Sequence, residues 1–152
     1  MNSGAKELRT AGFTVIEFIA VLLVIAIVTV VVVASSGNVA SQSQIVSQVA
    51  VVKSHIHYAQ MMAMKSNVSW GIKFSSGSSY TLQENGATST IFFPNVGSAT
   101  YTLPAGITLA STTSPLLFDE WGSPGANNIT ITVSNGTTHT IITVNMITGA
   151  VS

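Results

Sequence analysis

The chain has 152 residues, no cysteine, and only five basic and five acidic side chains. Without cysteine there is no disulfide framework, and without clustered Lys or Arg there is no electrostatic footprint for a nucleic acid. The apolar fraction of 47% overstates the globular core, because one N-terminal run absorbs much of it.

Residues 1–12 form a short polar leader that carries Lys6 and Arg9 and ends at Gly12. Residues 13–34 follow as an apolar run in which Glu17 is the one charge. As a helix this run reaches about 33 Å, enough to cross a hydrocarbon core. Val28 and Val30 to Val33 are mediocre helix formers in water. In lipid that matters little, since a helix is the single-segment structure that satisfies every backbone N–H and C=O. The basic leader places the N-terminus on the cytoplasmic side and everything after Ala34 outside. Glu17 is the anomaly, because a carboxylate in a membrane helix costs a few kcal/mol unless it is paired or neutralised. A plainer reading puts it in the first turn, where the helix dipole favours an acid.

Ser35-Ser36-Gly37-Asn38 looks like a break, yet a helical period resumes at once. Ile45, Val49, Val52, Ile56, Ala59 and Ala63 are spaced four, three, four, three and four, which is the apolar stripe of an amphipathic helix. Gln42, Gln44, Gln48, Lys53, His57 and Gln60 lie mostly off it. The spacing predicts one helix over residues 13–66, transmembrane over 13–34 and amphipathic over 38–66. Gly37, about 1 kcal/mol worse than Ala in a helix, is the place for a bend. Ser66-Asn67 ends the helix.

From Val68 onward short β-prone runs are divided by Gly, Pro, Asn and Ser. Strands are expected over 69–74, 79–83, 90–93, 107–110, 116–118, 128–134 and 138–145. Residues 75–78 and Asn85-Gly86 are hairpin turns, and Asn135-Gly136 joins the last two long strands. Residues 94–104 and 112–115 read as Ser/Thr-rich loops. A helix laid on one or two antiparallel sheets is an α+β domain spanning 67–152, with no internal repeat.

Gly12-Phe13-Thr14-Val15-Ile16-Glu17, followed by the long aliphatic run, resembles the signal of type IV prepilins and type II secretion pseudopilins. The resemblance implies a pilin-like fold. It also implies cleavage after Gly12 by a prepilin peptidase, methylation of the new N-terminal residue Phe13, and a role for Glu17 in subunit assembly, paired with the N-terminal amine of a neighbouring subunit. An ordinary secretory signal would instead be cut after the apolar run, where Ala34-Ser35-Ser36 supplies small residues. Farther along, Tyr58-Ala59-Gln60 through Val68 is similar to the helix end and first strand of GspH/FimT-like minor pseudopilins. Phe118, Gly122, the 129–133 strand, Ile141 to Val144 and Thr148-Gly149-Ala150-Val151 are similar to that family's C-terminal pattern.

Little in the chain suggests catalysis. His55 and His57 diverge by about 200° on a helix and cannot share a metal. His139 stands alone in a strand, as a surface or cross-strand residue. Asp119 and Glu120 are adjacent and diverge, which argues against paired-carboxylate chemistry. Some major pseudopilins bind calcium in a C-terminal loop with similar acidic and Trp-Gly residues. Here the carboxylates are too few for six to eight oxygens. Trp121 is expected to anchor its loop on the sheet, and Met61, Met62 and Met64 to fill the core or meet another helix. No Ser-His-Asp set, phosphate loop or cysteine cluster is present, so the expected protein is not an enzyme and takes no metal and no cofactor.

The reading is a structural subunit of a bacterial filament. As a precursor it is a single-pass inner-membrane protein, and its C-terminal domain lies in the periplasm or in an extracellular filament. Its partners are the prepilin peptidase, the membrane and other pilin or pseudopilin subunits. A pseudopilin of type II protein secretion is the first alternative and a minor subunit of a type IV pilus, for adhesion or motility, the second. A FimT-like DNA-uptake pilin comes last, because no Lys or Arg follows Lys73. Outside these stands a signal-anchored protein with an unrelated β domain.

Overall fold

A computed structural model describes residues 14–75 and 77–152. The leader and the Gly12–Phe13 junction lie outside the described residues. One long helix, α1 (Val15–Ser66), precedes eight strands: β1 (Trp70–Ser75), β2 (Ser79–Glu84), β3 (Ala87–Thr88), β4 (Thr100–Thr102), β5 (Thr108–Ser111), β6 (Leu116–Phe118), β7 (Ile129–Ser134) and β8 (His139–Val144). Every strand pair is antiparallel. The fold is α+β.

The chain divides into two compact units, residues 1–39 and 40–152. In the first, Thr14 caps α1 and the side chains described, up to Thr29, are exposed all around the helix. Among the described residues no helix is long and apolar enough to cross a membrane. The described side chains stop short of the 13–34 span that the sequence suggests.

In the second unit, the helical stripe Ile45, Val49, Val52, Ile56, Ala59 and Ala63 is buried throughout. It joins one apolar core with side chains from both sheets, among them Trp70, Ile72, Tyr80, Leu82, Leu116, Phe118, Ile131, Val133 and Ile142. Each such side chain removed from water contributes about 1.5–3 kcal/mol, so this seam holds the domain together without disulfides. The helix stops at Asn67, whose φ of 58° is left-handed and whose N–H donates to the Ala63 carbonyl at 3.2 Å. Asparagine accepts that conformation at low cost, and the bond satisfies one orphan carbonyl of the last turn. Trp70 then folds back, its Nε1–H donating to Ser66 Oγ at 2.6 Å.

The first sheet runs β3-β2-β1-β6, with β4 also on β2; the second runs β5-β7-β8. Asn85 and Gly86, at φ 49° and 78°, form the two-residue turn between Glu84 and Ala87. Two left-handed residues give the turn whose twist matches paired strands. Along β7, Ile129, Ile131 and Val133 point inward and alternate with Thr130, Thr132 and Ser134. In β8 the inward residues are Ile142 and Val144, and Ile141 faces out.

Two expectations for the strands need correction. Residues 90–93 are not a strand. The outer edge of β2 is already occupied by β3 at Gln83–Glu84 and by β4 at Ser79–Thr81, leaving 90–93 no strand to pair with. Within 94–104, read as loop, Thr100–Thr102 is β4; Thr and Tyr suit an edge strand, and the pairing with Tyr80 supplies the partner.

Candidate functional site

The exposed apolar helix and its acid come first. Val15 to Val28 include eleven large apolar side chains that are open to the surroundings on every face. Such a helix is stable only where lipid or other helices cover it. Glu17 is three residues after Thr14, and its N–H donates to the Thr14 carbonyl at 3.1 Å and to Thr14 Oγ1 at 3.4 Å. Thr14-x-x-Glu17 is therefore half of a capping box, and the acid also meets the positive end of the helix dipole. The Glu17 side chain is nevertheless exposed. One groove along the helix is lined by Glu17, Ala20, Val21, Val24 and Ile25, with the small Ala20 leaving a notch three residues from the carboxylate. Farther along, Thr29 Oγ1 donates to the Ile25 carbonyl at 2.7 Å, so its hydroxyl needs no outside partner. Of the residues expected to carry processing and assembly, Glu17 is described, and Gly12 and Phe13 lie outside the described residues.

In the second unit, two buried polar groups of α1 organise the domain. Gln60 points between the last loops: its Nε2 donates to the Gly122 carbonyl and to the Thr148 carbonyl, each at 3.0 Å. Space there is tight, because a Cβ on Gly122 would come to 3.0 Å from Met64 Sδ and one on Gly149 would overlap the Gly122 carbonyl. Asp119 does not reach Glu120. Its Oδ1 accepts from the Trp121 and Ser123 backbone N–H groups at 3.0 and 2.8 Å, closing the 119–123 turn. Trp121 is 80% exposed and does not anchor that loop on the sheet; Gln60 and Ser123, whose Oγ donates to the Met146 carbonyl at 2.8 Å, do so instead. Met61 and Met64 are exposed, on a shallow surface with Tyr58, Met62 and Lys65.

His55 is the second group. It is buried while His57 is exposed, so the two do indeed diverge. Its Nδ1 lies 2.7 Å from Tyr80 Oη, its ring stacks on Phe93 at 4.2 Å, and Tyr101 meets it edge-on at 5.2 Å. Tyr101 Oη donates to Gln48 Oε1 at 2.9 Å, which brings a second polar residue of α1 into the same cluster. Burial pushes the His55 pKa down to about 4, against a smaller upward pull from the Pro94 carbonyl. Burial pushes the Tyr80 phenol up, so it always has a hydrogen to give. Gln48 and Gln60 read as off-stripe residues in the sequence, and His55 as a histidine that cannot share a metal with His57. A signal for two of them was present: Ile45, Gln48, Val52, His55 and Ala59 are also spaced three, four, three and four, one face wider than the apolar stripe alone. Among the described residues no three His, Asp or Glu side chains converge on a point where a metal ion could be held.

The family model described as "Type II transport protein GspH" matches residues 48–149. No curated protein matches the chain by sequence. Among solved structures, the chain is similar to the type IV minor pilin FimU of Pseudomonas aeruginosa strain PAO1, with a TM-score of 0.56 at 14% identity over 77% of this chain and 90% of that one. A second crystal form of FimU gives 0.53 at 14% identity, over 73% and 90%. The minor pseudopilin EpsH from the type 2 secretion system of Vibrio cholerae gives 0.51 at 12% identity, over 76% and 93%. At such identities the likeness is one of fold.

Proposed function

The chain belongs to the GspH family of minor pilins and pseudopilins, and on that premise we propose that it is a structural subunit of the pseudopilus that drives type II protein secretion. The observation that carries the proposal is the N-terminal part of α1: apolar on every face, exposed, and bearing the single acid Glu17 five residues after Gly12. The subunit enters the inner membrane as a single-pass precursor with its N-terminus in the cytoplasm. Prepilin peptidase cuts between Gly12 and Phe13, and Phe13 is methylated. Assembly then replaces lipid around the helix with the helices of other subunits. In that dry bundle an unpaired Glu17 is costly, so pairing it with the Phe13 amine of a neighbour selects one axial stagger over the others. The groove that Ala20 leaves beside Glu17 gives the approaching chain room. No step of this requires catalysis by the subunit.

The fold likeness to the minor pilin FimU favours a second reading, a minor subunit of a type IV pilus built by the same helix packing. A DNA-uptake role has no basic surface to support it, since Lys73 is the last cation of the sequence.

The test is intact-mass and N-terminal analysis of the chain recovered from membranes, with and without the host's prepilin peptidase. The expected product begins at methylated Phe13 only when the peptidase is present. A chain that keeps Met1, or is cut near Ser35, refutes the processing. Loss of protein secretion, as opposed to loss of pili, on deletion of the gene separates the two filament systems.

A further inference from the structure

Residues 89–99 leave the edge of the first sheet after β3 and return to it at β4, and both ends of the excursion are tied to Leu82. Ser89 N–H donates to the Leu82 carbonyl at 2.9 Å, and Leu82 N–H donates to the Ala99 carbonyl at 2.8 Å. Between these ends the segment closes on itself, with Phe93 N–H on the Ser98 carbonyl at 3.0 Å and Val96 N–H on the Phe93 carbonyl at 3.2 Å. Ile91 and Phe92 are exposed, whereas Phe93 is buried. Phe93 is thus the large side chain that seats the segment on the core, and His55, itself 3% exposed, is the ring on which it lies.

The surroundings of His55 favour its neutral form, because burial outweighs the Pro94 carbonyl of the same segment, which favours the charged ring. The titratable groups facing it are the phenols of Tyr80 from β2 and Tyr101 from β4. Residues 89–99 carry no ionisable side chain, and α1 adds the neutral Gln48 behind Tyr101. With the Tyr80 hydroxyl as donor, Nδ1 is the acceptor and the ring proton is on Nε2. A second proton would land on Nδ1 and turn the Tyr80 hydroxyl from donor to acceptor, and the resulting imidazolium would have no carboxylate beside it. Its attraction to the Phe93 face offsets part of that cost, but burial outweighs it.

We propose that residues 89–99 are an acid-released flap: neutral His55 is the platform on which Phe93 closes, and protonation of His55 opens it, altering the surface that carries Ile91 and Phe92. The sign follows from linkage. In the open flap His55 regains water and its pKa rises from about 4 toward the ordinary 6.5, so the open form binds the extra proton. Closure is at full strength above pH 6.5. It weakens by up to about tenfold for each pH unit below that, and by at most about 150-fold in all at pH 4.

Amide hydrogen exchange of the full chain in detergent micelles, followed by NMR from pH 7 to pH 4 and corrected for intrinsic rates, tests this. Protection of the Phe93 and Val96 amides is expected to fall by about 100-fold over that range and to stay at least about tenfold below that of the β7 amides throughout. In His55→Phe, which keeps the stack but cannot titrate, the fall is expected to vanish. If that variant does not fold because the Tyr80 hydroxyl is orphaned, His55→Phe with Tyr80→Phe removes the orphan and serves in its place. Flap protection that ignores pH in the native chain overturns the proposal. So does protection equal to that of β7 at every pH, which means the flap opens only with the whole domain, and so does a fall that survives in the variants.

Discussion

Gln60 offers the sharpest test of how the last two loops are held. Gln60→Met keeps an unbranched side chain of nearly the same length, so it enters the tight space beside Gly122 and Gly149 without a new branch. What it removes is one amide nitrogen that donates to two carbonyls, Gly122 and Thr148, at 3.0 Å each. Each hydrogen bond contributes about 1 kcal/mol net, and a shielded carbonyl left without a donor adds to the loss. The expected destabilisation is about 2–3 kcal/mol, a large share of the roughly 5–15 kcal/mol that holds a domain folded. Urea unfolding of the chain in mild detergent reads it out, with Trp70, buried in the core, as the reporting fluorophore. For a domain of this size the midpoint is expected to drop by about 1–2 M. A loss under about 0.5 kcal/mol refutes the reasoning, since it means water replaces the amide freely and the loops are held by other contacts.

Gly71→Ala is expected to disrupt the β1–β6 edge, because its Cβ would overlap the Leu116 carbonyl and press on Leu117. A destabilisation of about 3 kcal/mol or failure to fold is expected in the same urea assay, and a change below about 1 kcal/mol refutes it. Trp121→Ala is expected to leave stability within about 0.5 kcal/mol, since the indole is 80% exposed. In the native chain iodide is expected to quench the Trp121 share of the emission and spare that of Trp70. Glu17→Ala is expected to leave membrane insertion intact and to lower incorporation into filaments at least about tenfold, measured on sheared filaments, as loss of more than about 1.4 kcal/mol of pairing requires. Normal incorporation removes Glu17 from the assembly mechanism.

The features legible in the sequence are those in which neighbours along the chain settle the outcome. The stripe from Ile45 to Ala63 is buried as its spacing implies, because a helix brings residues three and four apart onto one face wherever it packs. Ile129, Ile131 and Val133 face inward for the corresponding reason in a strand, and Asn85-Gly86 turns because both residues tolerate positive φ.

What the tertiary structure decided was which partner each residue found across long stretches of chain. Residues 90–93 have strand composition, but β3 and β4 hold the edge of β2, so they became part of a flap. Trp121 has the character of an anchor, yet the glutamine sixty-one positions earlier, Gln60, holds its loop, since one buried amide can satisfy two carbonyls at once where an indole cannot. His55 reads as an ordinary helical histidine until Tyr80, Phe93 and Tyr101 close around it from two strands and a loop. Periodicity records which face a residue occupies; burial, hydrogen bonding and the proton affinity that follow depend on groups that only the folded chain brings within reach.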